Sequence, residues 1–314
     1  MKEAYLRNII VVAIALLIVT LTATSARADV KGSFLYYLSN FTGTVPYSGG
    51  RVIADKERSE IYVIYENYLS IYNEYGMQIY RFGDDLDLGQ ILDVGVDQKG
   101  EMLLLTYKDS RSLIIRCNYR GEPYSKTELD KFPPPFSRFI PNRLVYQNGN
   151  IYLASLIEMI LAVTDDQGNF KKGYDLIPLI EAEEKDRGNM EIVGFSVDRE
   201  GNILFTIPVL FRAFVLSADG KVDWFGKPGG SPGKFNVVAG IVRDSKGNYL
   251  VIDKLKSTVM VYDKAFNFLD QFGYRGLRPG NLLYPNDIAI DNKDRIYVTQ
   301  GGRKGISVFK LSQN

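Results

Sequence analysis

The sequence predicts an all-β fold: a single six-bladed β-propeller with four-stranded blades, the last blade closed by the amino-terminal strand. Three observations predict it. One strand-turn-strand unit recurs six times, its turn residue falling at Asp55, Asp97, Gln147, Asp198, Asp244 and Asp291, with gaps of 42, 50, 51, 46 and 47 residues. Aromatic residues suited to half-buried pleated surfaces are plentiful, 21 Tyr and 17 Phe. At the ends, the sixth unit supplies only three strands while a lone strand precedes the first. Four strands per unit, repeated around a closed ring, satisfy all three.

The lone strand lies in SFLYYLSNFTG (residues 33–43) and resembles FNFLDQFGYRG, the fourth strand of a later unit. Set beside the sixth unit, its segment 34–38 completes the ring and covers an open sheet edge. The units follow as RVIADKERSEIYVI from Arg51, DVGVDQKGEMLLL from Asp93, RLVYQNGNIYLA from Arg143 and GFSVDREGNILFT from Gly194. The last two are GIVRDSKGNYLVI from Gly240 and DIAIDNKDRIYVT from Asp287. A third strand ends at a turn opened by Asn73, Asn118, Asp165, Ser217 or Asp263. In the first four of these, Gly76, Gly121, Gly168 and Gly220 take the φ > 0 position; the fifth lacks its glycine. A fourth strand then runs to a boundary. FGKPGGSPGKF (residues 225–235) reads like a linker, yet it returns 47 residues later as FGYRGLRPGNL (residues 272–282). A linker has no reason to recur in register, so the stretch separates blades.

Residues 1–28 are expected to be an export signal cleaved after Ala28. Lys2 and Arg7 open it, an apolar run covers residues 9–19, and Ala26-Arg27-Ala28 supplies a small-x-small cleavage pattern. The run is shorter than the roughly 20 residues a membrane span needs. The remainder, residues 29–314, is expected to be one domain in the periplasm or outside the cell, monomeric and without membrane contact once cleaved. It carries 35 basic against 36 acidic side chains, a balance that argues against nucleic acid. Cys117 is the only cysteine, so no internal disulfide forms and the core supplies the stability alone. Its thiol, beside a turn and with no base in view, reads as half-buried filler.

The units resemble NHL repeats over nearly all of residues 33–310. The closest stretches are PNDIAID and IYV within residues 285–298, and VMVYD (residues 259–263) followed by Phe272-Gly273. Asp253 keeps the aspartate this family places after the second strand, whereas Thr258 stands where its arginine would open the third. Relatives with this fold that act as zinc-dependent lyases use channel histidines. This chain has no histidine at all, which also removes Ser-His-Asp and Cys-His catalysis and typical zinc sites.

Oxygen-ligand chemistry survives that test. By repeat register Arg51, Asp93, Arg143, Gly194, Gly240 and Asp287 begin the innermost strands and line the channel mouth. Pro141-Asn142 and Pro285-Asn286-Asp287 resemble the Pro-Asn motif of gluconolactonase-like propellers, where oxygen ligands bind a calcium-type ion. The resemblance makes Asp93, Asn142, Asn286 and Asp287 the candidate ligands. A hard cation wants about six oxygens, and Arg51 and Arg143 at equivalent positions would repel it. A polar or salt-bridged mouth with no cofactor is therefore the expectation.

Two loops break the repeat. FPPPFSRFIPN (residues 132–142) sets Phe132, Phe136 and Phe139 around three prolines, either packing over the ring or forming a partner surface. LIPLIEAEEKDRGNMEI (residues 176–192) reads as a solvated acidic face with a turn or two of helix. The function expected is a non-catalytic binding or scaffold module that presents loops and the channel face to a protein partner or an extended ligand. The alternative is a calcium-type metal-dependent hydrolase or lactonase.

Overall fold

The computed structural model describes residues 30–83, 87–129 and 132–313; the expected leader and its cleavage site lie outside them. Six four-stranded antiparallel sheets form the ring. Their innermost strands are Arg51–Ala54, Gln90–Val96, Arg143–Gln147, Phe195–Val197, Val238–Arg243 and Ile288–Ile290, in blades 1 to 6. Each touches the innermost strand of the next blade, and the sixth touches the first. They approach closely: a Cβ on Gly194 would lie 2.3 Å from the Ala239 carbonyl oxygen.

Second and third strands are apolar on both faces because each blade is sandwiched between two others. In blade 5, Tyr249–Asp253 and Thr258–Tyr262 are buried throughout. Between blades 3 and 4, Phe205 and Phe214 stack with ring centroids 5.0 Å apart, within one of several apolar seams.

Val30–Tyr37 closes the ring as the outermost strand of blade 6, pairing antiparallel with Ile306–Gln313 from Val30–Gln313 to Tyr37–Ser307. The strand starts four residues earlier than the expected segment 34–38. Leu38 follows it as a buried residue, and Ser39–Asn40 with Gly43–Thr44 form a small separate hairpin. Phe34 packs on Phe309 (5.8 Å) and Phe272 on Phe309 (5.0 Å). Gly32 is needed there, since a Cβ would meet the Phe272 ring at 2.2 Å.

The recurring aspartates close the turns of the lower face. Asp97 Oδ1 accepts the Lys99 and Glu101 amides at 2.8 and 2.9 Å, and Asp244 and Asp291 repeat the pattern two and four residues on. A single carboxylate thus satisfies two turn amides that would otherwise be unpaired. Gln147 cannot reach in this way, and blade 3 uses a two-residue hairpin instead, Asn148 and Gly149 both at positive φ (51° and 72°). At the turn without glycine, Phe266 takes φ 65° and stacks on Phe225 at 4.7 Å.

Those lower turns also tie blade to blade. Arg58 reaches the Gln98 carbonyl, Arg116 reaches Asp166, Asn148 reaches the Arg199 carbonyl and Arg243 reaches Asp198. The Ser245 amide reaches Asp294, and Lys293 pairs with Glu74 across the closing seam.

Candidate functional site at the channel mouth

The upper face carries the loops that lead into each innermost strand. There the structure brings three of the ring positions together. Arg51 Nε lies 3.1 Å from Asp93 Oδ1, and Arg51 Nη1 lies 3.0 Å from Asp287 Oδ1. Each carboxylate also accepts a backbone amide from the next blade: Asp93 Oδ2 from Leu144 (2.9 Å) and Asp287 Oδ2 from Val52 (3.0 Å). Asp93 Oδ1 takes the Val94 amide as well, at 3.0 Å. One guanidinium therefore clasps blades 6, 1 and 2, and the Asp93 carboxylate carries the clasp on to blade 3. Burial works against the Arg51 charge, but Asp287 and Asp93 more than offset it and hold its pKa above the usual guanidinium value.

Arg143 sits beside this clasp without a carboxylate of its own, Nη1 donating to the Asn142 carbonyl at 2.8 Å. Burial and the neighbouring Arg51 charge push its pKa below the ordinary value, against the pull of Asp93 and Asp287. Asn142 Oδ1 accepts the Leu156 amide (3.1 Å), and Asn286 Oδ1 accepts Lys254 Nζ (3.3 Å).

These residues do not fit a calcium-type ion. Asp93 and Asp287 spend their oxygens on Arg51 and on backbone amides, and Asn142 spends its oxygen on a loop amide. A cation placed among them would stand against Arg51 and Arg143. Among the described residues, no group of three or more His, Cys, Asp or Glu side chains could hold a metal ion.

The rings of the aromatic loop form a wedge. Phe132 and Phe139 are buried between blades 2 and 3 against Leu103, Leu144 and Leu153, their rings stacked 5.9 Å apart. Phe136 is half-buried and covers Phe170 at 5.5 Å. Packing wins because this seam has a gap over Gly173, where a Cβ would meet the Phe136 ring at 2.6 Å. The acidic loop is anchored by buried Leu176, Ile180, Met190 and Ile192, and a single helical turn, Glu184–Arg187, carries its charges into solvent.

Cys117 is wholly buried, more so than expected, and burial pushes its thiol up to about 12. It will resist alkylation by iodoacetamide at pH 8 until the chain is unfolded; rapid labelling of the native protein would contradict that burial. Because the native state holds this proton more tightly, the thiol leaves stability untouched below its ordinary value of 9.0. Above that value the thiol, still protonated in the fold but ionised in the unfolded chain, lowers stability progressively as the pH rises toward 12.

Sequence reasoning missed a pair of lysines. Lys256 Nζ donates to the Ser231 and Lys234 carbonyls (2.9 and 2.6 Å), holding the glycine-rich loop from beneath. Lys304 does the same to the recurring loop, donating to the carbonyls of Gly276, Arg278 and Asn281. Arg278 and Asn281 stand 47 residues after Ser231 and Lys234, whereas the two lysines are 48 apart. That slip of one position hides the pair from a register comparison. Burial lowers the pKa of both amines.

Comparison with known proteins agrees with this architecture. A sequence family described as a 6-bladed beta-propeller matches residues 236–313. Protein brain tumor of Drosophila melanogaster is 34% identical over 77 residues, which is 24% of this chain and 7% of that protein's length. Among solved structures, the virginiamycin B lyase of Staphylococcus aureus superposes with a TM-score of 0.58 at 11% identity, over 90% of this chain and 99% of that one. A gluconolactonase of Xanthomonas campestris gives 0.57 at 14% identity, over 92% and 93%. At such identities the likeness is one of fold, and with the sheet order and the strand closure it leads to one conclusion: the chain is an all-β, six-bladed β-propeller with four-stranded blades.

Proposed function

We propose that the protein is a non-catalytic binding or scaffold module that works outside the cytoplasm as a monomer, presenting its upper loops and channel mouth to a protein partner. The observation that carries this reading is the Arg51 clasp. The carboxylates that a lactonase-type site would offer to a metal are instead engaged in holding four blades together. Without histidine, neither a Ser-His-Asp nor a Cys-His arrangement is available. Export rests on the leader-like residues 1–28, and an NHL type of blade on the repeat pattern and the short match to Protein brain tumor.

A calcium titration followed by melting temperature separates this reading from a metal-dependent hydrolase. A ligand at a hundred times its Kd stabilises the native state by about 2.7 kcal/mol. The expected result is no shift at millimolar calcium. A clear shift that disappears in Asn286→Ala and Asp287→Asn variants would overturn the binding-module reading in favour of the hydrolase.

A further inference from the structure

The near-neutral charge of the chain conceals a one-signed surface. Loops 226–237, 254–258, 273–286 and 300–305 lie together on the upper face of blades 5 and 6. They are joined by Lys256 and Lys304, by the Tyr274 amide to the Ser257 carbonyl (3.0 Å) and by the Gly301 amide to the Leu283 carbonyl (2.8 Å). These loops contain eight basic residues and no acidic one. Of the carboxylates next to these loops in sequence, Asp253 is fully buried on the amides of Asn236 and Lys256, and Asp287 is held by Arg51; the acidic loop, with Glu181, Glu183 and Asp186, borders the patch at Pro228. Among the described residues, none of the eight cations has a carboxylate within ion-pair distance.

Five of them, Lys227, Lys234, Arg275, Arg278 and Arg303, are exposed. Arg275 is held over the Tyr284 ring, its carbon 5.0 Å from the centroid. Interleaved with them are exposed apolar side chains, Leu277 at 76%, Tyr274 at 58% and Leu255 at 52%. Lys254 and Arg143 extend the same sign into the channel mouth. The five exposed cations repel one another with no ion pair among the described residues to offset it, while arginine, tyrosine and leucine side by side are the composition of a recognition surface.

We propose that the upper face of blades 5 and 6 docks an acidic protein segment. Its carboxylates would meet Lys227, Lys234, Arg278 and Arg303, and its apolar side chains would cover Leu277, Leu255 and Tyr274. The proposal rests on the binding-module reading and names the chemistry of its partner. Leucines decide for a protein segment: a sulfated polysaccharide has no side chain to bury them, and single-stranded nucleic acid stacks on aromatic faces.

The test is fluorescence anisotropy with a labelled amphipathic peptide of glutamate and leucine, with poly-glutamate, dextran sulfate, an oligonucleotide and phosphatidylglycerol vesicles as competitors. Expected is binding that weakens about tenfold as salt rises from millimolar to molar concentrations, since exposed pairs are screened. It should weaken at least tenfold in the Arg278→Glu/Arg303→Glu variant and several-fold in Leu277→Ser, with unchanged melting temperatures. No binding, binding that survives the charge reversal, or equal competition by any of the other four polyanions would overturn the proposal. A failure here leaves the calcium result standing, so the partner and the module reading fall separately.

Discussion

A chain lacking Val30–Tyr37 is expected to lose its single cooperative unfolding transition. That strand supplies the outer edge of blade 6 along eight residues. It also covers Phe309, buried at 1% exposure, and Phe272, at 5%. Each lost ladder hydrogen bond is worth about 1 kcal/mol net, and each apolar side chain returned to water costs roughly 1.5–3 kcal/mol. The sum rivals the whole stability of a typical domain, about 5–15 kcal/mol. Urea unfolding followed by Trp224 fluorescence and by circular dichroism checks it, against a chain that begins at Asp29. A synthetic peptide of residues 30–37 should restore the transition in proportion to its concentration. An unchanged urea midpoint without the strand would show that the ring is closed by other means.

The second large effect is expected at Arg51. Arg51→Met leaves Asp93, at 0% exposure, and Asp287, at 9%, in the channel mouth without their cation. Removing one partner of a buried ion pair costs about 3–5 kcal/mol, because the charge left behind is uncompensated. Arg51→Lys should recover only part of the loss, since a compact ammonium cannot bridge two carboxylates as the planar fork does. The triple variant Arg51→Met/Asp93→Asn/Asp287→Asn should be more stable than Arg51→Met alone, a non-additivity that reports the coupling directly. Equal stability of Arg51→Met and the native chain in urea would remove the clasp from the account of ring closure.

The ring was legible because it is built by repetition. The aspartate turns carry their own hydrogen-bonding logic, and their spacing counts the blades; the missing strand of the sixth unit and the spare one before the first then fix the closure. The channel-mouth positions could be read by register, Arg51 beside Asp93 and Asp287 included. What register could not show is that one guanidinium would satisfy both carboxylates, which depends on side-chain reach across the axis. For Phe132 and Phe139 the sequence left packing and partner contact both open, because a proline-rich aromatic loop does not reveal the seam it fills. The charge balance misled. A sum over the chain is near neutral, while loops distant in sequence, from Lys227 to Lys304, gather eight cations on one face.

The pairing of Val30 with Gln313 joins residues 283 positions apart, and this sets a schedule as well as a shape. As the chain is synthesised, the strand that will close the ring is made before the blades and its partner after them. For all the time between, Val30–Tyr37 is an apolar segment with an unanswered backbone, the kind of edge on which chains stick to one another. The same delay leaves the newborn chain open to self-association until the two strands meet.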